Sequence, residues 1–345
     1  MTKRLIGSMR GAALSAALSA GLITGLSAAM GWGAPAQAQE AFPSKRMEMV
    51  IPFGAGAATD IFARTVAEGM SKLTGQTVVP INRPGANGLI AVRSVQSAPK
   101  DGHTFIILAN GIVNEQVMKK DVDFDVRKDL IPVTRAVQAP LGVFVSNHLP
   151  VNSMKELVEY VRKNPGKVNF ASAALGSNAH LATERLMLAT GMKMVHITYP
   201  SGTPQMNVAL LAGDVGVFLN EMGSMKQLVN EKKIKVLATL DERRNPAYPD
   251  TPATPETGVP ELRNFSSVFF FGFFVAPGTD PARVDRLSVE INRALVDPQT
   301  RERLIALGHN PALLGNSNPA DFRKAVNEEL ERVQKVVQDA NIKVN

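Results

Sequence analysis

The chain has 345 residues, with 38 lysines and arginines against 31 aspartates and glutamates, a formal charge of +7 and no cysteine. Disulfides and lipid attachment through a cysteine are thereby excluded, and stability must come from packing. Charges of both signs are scattered along the chain without a basic stripe or a recognition motif, which argues against a nucleic-acid partner.

Lys3, Arg4 and Arg10 give a basic start, Gly11 to Met30 is apolar, and Ala36-Gln37-Ala38 offers small residues to a signal peptidase. This pattern predicts a secretory signal peptide over residues 1–38, cut after Ala38, and a soluble periplasmic mature protein. A membrane anchor is the alternative, but the stretch is interrupted by glycines, whereas a span takes roughly 20 strongly apolar residues. Removing residues 1–38, with three basic and no acidic side chains, takes the charge from +7 to +4 and the length from 345 to 307. That is enough chain for two lobes, each with its own core. Trp32, the only tryptophan, leaves with the signal.

Downstream, strand-like runs alternate with helical patterns, the signature of α/β architecture with mostly parallel strands. Met47 to Phe53 reads as a buried strand. After Gly54-Ala55-Gly56, apolar Phe62, Val66, Met70 and Leu73 recur at helical spacing, and Gly75 is placed to end the helix. Thr77 to Ile81 reads as a second strand whose Pro80 argues for an edge or a bulge. A glycine-rich loop, Asn82 to Gly88, leads into a helix reaching about Ala98, and His103 to Ala109 is a third strand.

A second α/β unit begins after Pro150. Ser153 and Glu156 are spaced as a capping box, and that helix stops at Asn164-Pro165-Gly166. Strands are expected at Val168–Ser172, Val195–Tyr199, Val215–Leu219 and Lys235–Leu240, with a helix opened by Thr203 as N-cap and Pro204. Asn245 to Pro260 reads as a long surface loop. Phe265 to Ala276 is a phenylalanine-rich strand, followed by three helices starting near Pro281, Pro298 and Pro319. Two such units with a late return segment predict two lobes, residues 39–140 plus 270–345 and residues 141–269. They are joined by crossovers near Val137–Ser146 and Ser266–Ala276, with a ligand cleft between them.

The loop Gly54-Ala55-Gly56-Ala57-Ala58-Thr59 lies between a strand and a helix, so its N–H groups can bind an anion. As a dinucleotide fingerprint it fails, because Thr59 replaces the third small residue and Asn82 stands where an acidic ribose partner belongs; a simple tight turn is the alternative. The stretch Ser172 to His180 is a second strand-to-helix loop, in which Ser172, Ser177 and Asn178 supply neutral donors or merely cap the helix. Asn110, Tyr199 and Asn220 sit at strand C-terminal ends, where open α/β sheets hold ligands. The histidines at 103, 148, 180, 196 and 309 have no metal-ligand spacing, and His180 alone falls in a candidate site loop. With no nucleophile elbow and no close carboxylate pair in these loops, no catalytic residue, metal or cofactor is assigned.

In order along the chain, several motifs resemble the Bug-type substrate-binding proteins of tripartite tricarboxylate transporters. They are Pro52-Phe53 through Ala58-Thr59-Asp60, Asn82 through Ala86, Asp101-Gly102-His103-Thr104, and Pro165 through Phe170. Ser177 with His180-Leu181, His196-Ile197 with Tyr199, Ala212 through Val215, and Ala276 through Thr279 continue the series. The resemblance covers essentially the whole mature chain. It implies a two-lobed periplasmic-binding-protein fold, type II-like, that shuts on a small organic carboxylate held by backbone N–H groups, small hydroxyls and water. The site positions it implies are Phe53, Gly54, Ala57, Ala58, Thr59 and Asp60 in the first lobe and Ser172, Ser177, Asn178, His180, Tyr199 and Asn220 in the second. Leu219 stands where an aspartate is common in the family, which tilts the ligand away from amino acids.

The expected partners are a small carboxylate and the membrane subunits of a tripartite tricarboxylate transporter, with the protein a monomer. A periplasmic sensor acting on a signalling kinase would need the same fold. An α/β enzyme is disfavoured by the missing catalytic constellation.

Overall fold

A computed structural model describes residues 42–344 apart from 120–122, 201, 308 and 310–313; the expected signal peptide lies outside the described residues. The first unit runs β1 (Met47–Ile51), α1 (Ala58–Thr74), β2 (Val78–Asn82), α2 (Leu89–Gln96), β3 (Thr104–Ala109), α3 (Gly111–Met118) and α4 (Val126–Asp129). A strand of 16 residues, β4 (Ile131–Ser146), leads into the second unit. There follow α5 (Met154–Lys163), β5 (Asn169–Ser172), α6 (Asn178–Thr190), β6 (Val195–Thr198), α7 (Thr203–Ala212), β7 (Val217–Glu221), α8 (Met222–Asn230) and β8 (Ile234–Thr239). The chain returns through β9 (Val268–Val275) and ends on α9 (Pro281–Val296), α10 (Pro298–Ala306) and α11 (Pro319–Asp339).

The strands join in the order β2-β1-β3-β9-β4-β7-β5-β6, with β8 on β4. β1 is parallel to β2 and β3, and β5 is parallel to β6 and β7. The antiparallel pairs are those of β9 with β3 and β4, and of β4 with β7 and β8. This is the two-lobed α/β fold expected, but mixed rather than mostly parallel, because β4 and β9 add as many antiparallel pairs as the other strands form parallel ones. β4 belongs to both halves: up to Pro140 it pairs with β9, and from Leu141 it pairs with β7 and β8. The return crossing is tied to it, because Leu141 N–H donates to the Ser267 carbonyl and Ser267 N–H to that of Leu240.

The central strands β3 and β9 are covered on both faces, so they are apolar runs rather than alternating ones. In the first half Met47, Met49, Ile51, Phe105 and Ile107 meet Phe62, Val66 and Met70 of α1 together with α9. Val50, Ile106 and Leu108 face the other way, onto α2 and α11. Gly272 in β9 is required here, since a Cβ would overlap the Phe322 ring of α11. Leu181 of α6 joins this same core, so the second half sends one apolar side chain into the first.

Local signals read from sequence mostly carry through. Gly75 ends α1 with φ 69°, β2 with its Pro80 is an edge strand, and Ser153 Oγ accepts from Glu156 N–H at 3.2 Å. Glu156 reaches back one residue further than a capping box requires, to Asn152 N–H at 2.7 Å. Three expectations need correction. The N-cap of α7 is Gly202, which has no side chain to cap with, and Thr203 is already helical. The segment from Asn245 to Pro260 is only in part a surface loop: Pro246, Pro249, Asp250, Pro255, Glu256, Gly258 and Pro260 are exposed, while Asn245, Tyr248, Thr251, Thr254 and Val259 are buried and pin it down. Residues 111–118, for which no helix is expected, form α3.

Candidate functional site

Parallel strands point their C-terminal ends at a common edge, and the helix that follows each strand begins there with N–H groups lacking intrahelical partners. The loops after β1, β3 and β5 meet around a cavity of about 260 Å³. Pro52 and Phe53 line it after β1, Leu108, Ala109 and residues from Gly111 to Met118 after β3, and Ala173 to Asn178 after β5. The wall therefore draws on both halves. Among the described residues its only ionisable side chain is Glu115, which is buried and paired with Lys119.

Of the residues singled out from sequence, Phe53, Ser177 and Asn178 line this cavity. Phe53 is 39% exposed at the mouth of the cavity. Ser177 caps α6 by accepting from His180 N–H at 3.4 Å. Asn178 is held from the opposite half: its Nδ2 donates to Asn110 Oδ1 at 3.0 Å, and its Oδ1 accepts from Asn114 Nδ2 at 2.7 Å. Asn110 and Asn114 are both buried, and Asn110 Nδ2 donates onward to Glu329 Oε1 at 3.2 Å. The bridge across the cleft thus consists of three asparagines anchored on a carboxylate.

Other predicted residues are not among those lining the cavity. Gly54 is exposed with open space at its Cα, Ala57 precedes α1, Ala58 is the first helical residue, and Thr59 and Asp60 are buried. Asp60 is spent on the loop itself. Its oxygens accept from Gly56 N–H at 2.9 Å, Asn82 Nδ2 at 2.8 Å and Arg64 Nε at 3.0 Å. Burial pushes this carboxyl up, and the bonds from Arg64, Asn82 and Gly56 outweigh burial and hold it below the ordinary range.

Ser172 is buried, with its Oγ 2.6 Å from His196 Nε2 and donating to the Ala174 carbonyl at 2.9 Å. His180 Nδ1 accepts from Gly176 N–H at 3.2 Å, and the His180 and His196 ring centroids lie 4.4 Å apart. Burial, with His196 alongside, lowers His180 to about 4, so the ring is neutral at neutral pH and can accept that bond. Serine and histidine here shape the loop 173–177 from beneath. Tyr199 N–H donates to the Ser172 carbonyl at 2.8 Å, and Asn220 Nδ2 donates to Ser224 Oγ at 2.9 Å; neither side chain lines the cavity.

Sequence reasoning missed the α3 contribution, namely Ile112, Asn114, Glu115 and Met118. Met118 fits against Gly176, whose φ is +77° and whose added Cβ would lie 2.5 Å from Met118 Cγ. Among the described residues no cluster of three His, Asp or Glu could hold a metal ion, and no helix is long and apolar enough to cross a membrane.

The family described as "Tripartite tricarboxylate transporter family receptor" matches residues 62–342. A solved R. palustris protein with adipate is 30% identical, with TM-score 0.75, covering 88% of this chain and 99% of its own. The periplasmic binding protein BugD is 29% identical, with TM-score 0.72 and coverage of 88% and 99%. MatC from Rhodopseudomonas palustris with bound malate is 28% identical, with TM-score 0.71 and coverage of 86% and 100%. A match over most of the chain, with the same fold in full-length relatives, makes this chain a Bug-type member of the tripartite tricarboxylate transporter receptor family.

Proposed function

We propose that the protein is an extracytoplasmic solute-binding receptor, exported to the periplasm, that captures a small organic carboxylate and delivers it to the membrane subunits of a tripartite tricarboxylate transporter. It acts as a monomer and performs no catalysis. The observation that carries this reading is the cavity between the halves, where the N-termini of α3 and α6 and the neutral groups of Ser177 and Asn178 line one small space. Helix N-termini favour an anion without a basic side chain. At about 260 Å³ the cavity falls just below the roughly 300–1,000 Å³ of drug-sized sites, a size suited to a small acid. The adipate and malate bound by two relatives support the same ligand class.

In this reading Phe53, Ser177 and Asn178 touch the ligand and Asn110 orients Asn178. Gly54, Ala57, Ala58, Thr59, Asp60, Ser172, His180, Tyr199 and Asn220 frame the loops. The lobes, residues 39–140 plus 270–345 and residues 141–269, rotate about the two crossings beside Leu141 and Ser267, so that donors from both reach one molecule.

A thermal-shift screen over mono-, di- and tricarboxylates and aromatic acids tests this. A ligand binding only the folded state adds about 2.7 kcal/mol at a hundredfold excess over Kd. At least one small carboxylate should raise the melting temperature in a saturable way, and a panel in which none does would overturn the assignment.

A further inference from the structure

A second cavity, of about 310 Å³, opens where α11 meets the two crossing segments, and three arginines line it: Arg135 on β4, Arg185 on α6 and Arg332 on α11. Arg332 is paired with Glu329, and Glu328, also in the lining, is 3.9 Å from Lys324. Arg135 and Arg185 form no ion pair with a carboxylate among the described residues. Arg185 donates to the Ser266 carbonyl at 2.8 Å and lies 5.2 Å from the centre of the Phe265 ring, contacts that fix the guanidinium without neutralising it. Burial lowers the pKa of both arginines, that of Arg185 to about 10 with Arg332 adding repulsion. Glu328 and Asp321 offset part of this at Arg135, and Glu329 does so at Arg185, but burial prevails at both. A guanidinium keeps its charge at neutral pH.

Two partly desolvated positive charges facing one space cost free energy unless a counter-charge joins them. Each guanidinium offers a planar fork of donors that matches the oxygens of a carboxylate or a phosphate. We propose that this cavity is a second anion site, separate from the cleft, in which Arg135 and Arg185 together take a small oxyanion. Arg135 belongs to the first half and Arg185 to the second, so a bound anion ties the halves together beside the crossings.

The test is thermal unfolding of the full mature chain titrated with sodium phosphate or with sodium acetate at constant ionic strength. At least one of the two should raise the melting temperature saturably, phosphate alone pointing to a phosphoryl group and acetate alone to a carboxylate. Arg135→Gln and Arg185→Gln should each weaken the apparent affinity at least about tenfold. Arg135→Gln should also melt at or above the wild-type temperature without added anion, since burial of this charge outweighs its attraction to Glu328 and Asp321. Arg135 makes no side-chain bond that folding depends on, so this variant decides the matter even if Arg185→Gln folds poorly. A chain that neither anion stabilises, or one stabilised equally in wild type and Arg135→Gln, would overturn the site.

Discussion

Replacing Asn178 by alanine removes both hydrogen bonds that reach across the cleft, at 3.0 Å to Asn110 and 2.7 Å from Asn114. Each such bond contributes about 1 kcal/mol net, and a buried polar group left without a partner costs about 1–3 kcal/mol. Asn110 keeps its bond to Glu329, and water from the adjoining cavity can reach the groups left behind, so the lower end of that range applies. The expected loss is about 2–3 kcal/mol. With an unfolding entropy of about 2.1 cal/mol/K per residue, a chain of about 300 residues should melt about 3–5 °C lower. Calorimetry on Asn178→Ala, Asn114→Ala and the double variant separates the bridge from general damage. If the asparagines act as a unit, Asn114→Ala costs at least about 0.5–1 kcal/mol less in the Asn178→Ala background. Strict additivity of the two losses would show that the bridge does not hold the halves and that the reasoning is wrong.

Acid should weaken the protein through His180. Its folded-state pKa of about 4 lies below the ordinary 6.5, so the unfolded chain takes up a proton first, and stability present above pH 6.5 is lost as pH falls towards 4, by up to about 3 kcal/mol. Melting curves across this window should be flatter for His180→Asn, and parallel curves would remove His180 from the account. Burial raises Glu221 to about 7, which carries the opposite sign: its contribution is complete below pH 4.5 and is lost as pH rises through 7. Glu221→Gln should therefore melt higher than wild type at pH 8, and an equal or lower melting point there would refute the raised value. Gly176→Val combines a φ of +77°, which costs about 1–2 kcal/mol for a residue with a Cβ, with a contact 2.5 Å from Met118 Cγ. Adding Met118→Ala should recover the steric part of the lost stability but not the backbone part, and no recovery at all would mean that the two residues do not meet.

The architecture was legible because its signals are local. Phe62, Val66 and Met70 repeat at helical spacing on a helix with one buried face, and Gly75, Pro281, Pro298 and Pro319 mark ends that depend on their own backbone preferences. α3 was not legible for the converse reason. Ile112, Val113, Asn114, Glu115 and Met118 are all buried, so no polar stripe gives the helix away. At the site, strand-to-helix context singled out Ser177 and Asn178, which line the cavity, and equally Thr59 and Asp60, which do not. Only tertiary structure decides which strand ends face one another, and nothing near Asp60 in sequence announces that its carboxylate closes on Gly56 and on Asn82 of another strand.

The position of β9 between β3 and β4 orders events during folding. Ile106 pairs with Phe274, which is made 168 positions later, so the first half has a gap in its middle until nearly the whole chain exists. The second half, whose strands from β4 to β8 are contiguous in sequence, can pair internally first. Until β9 inserts, the facing edges of β3 and of the first part of β4 are left unpaired, and each can pair with any extended segment that reaches it.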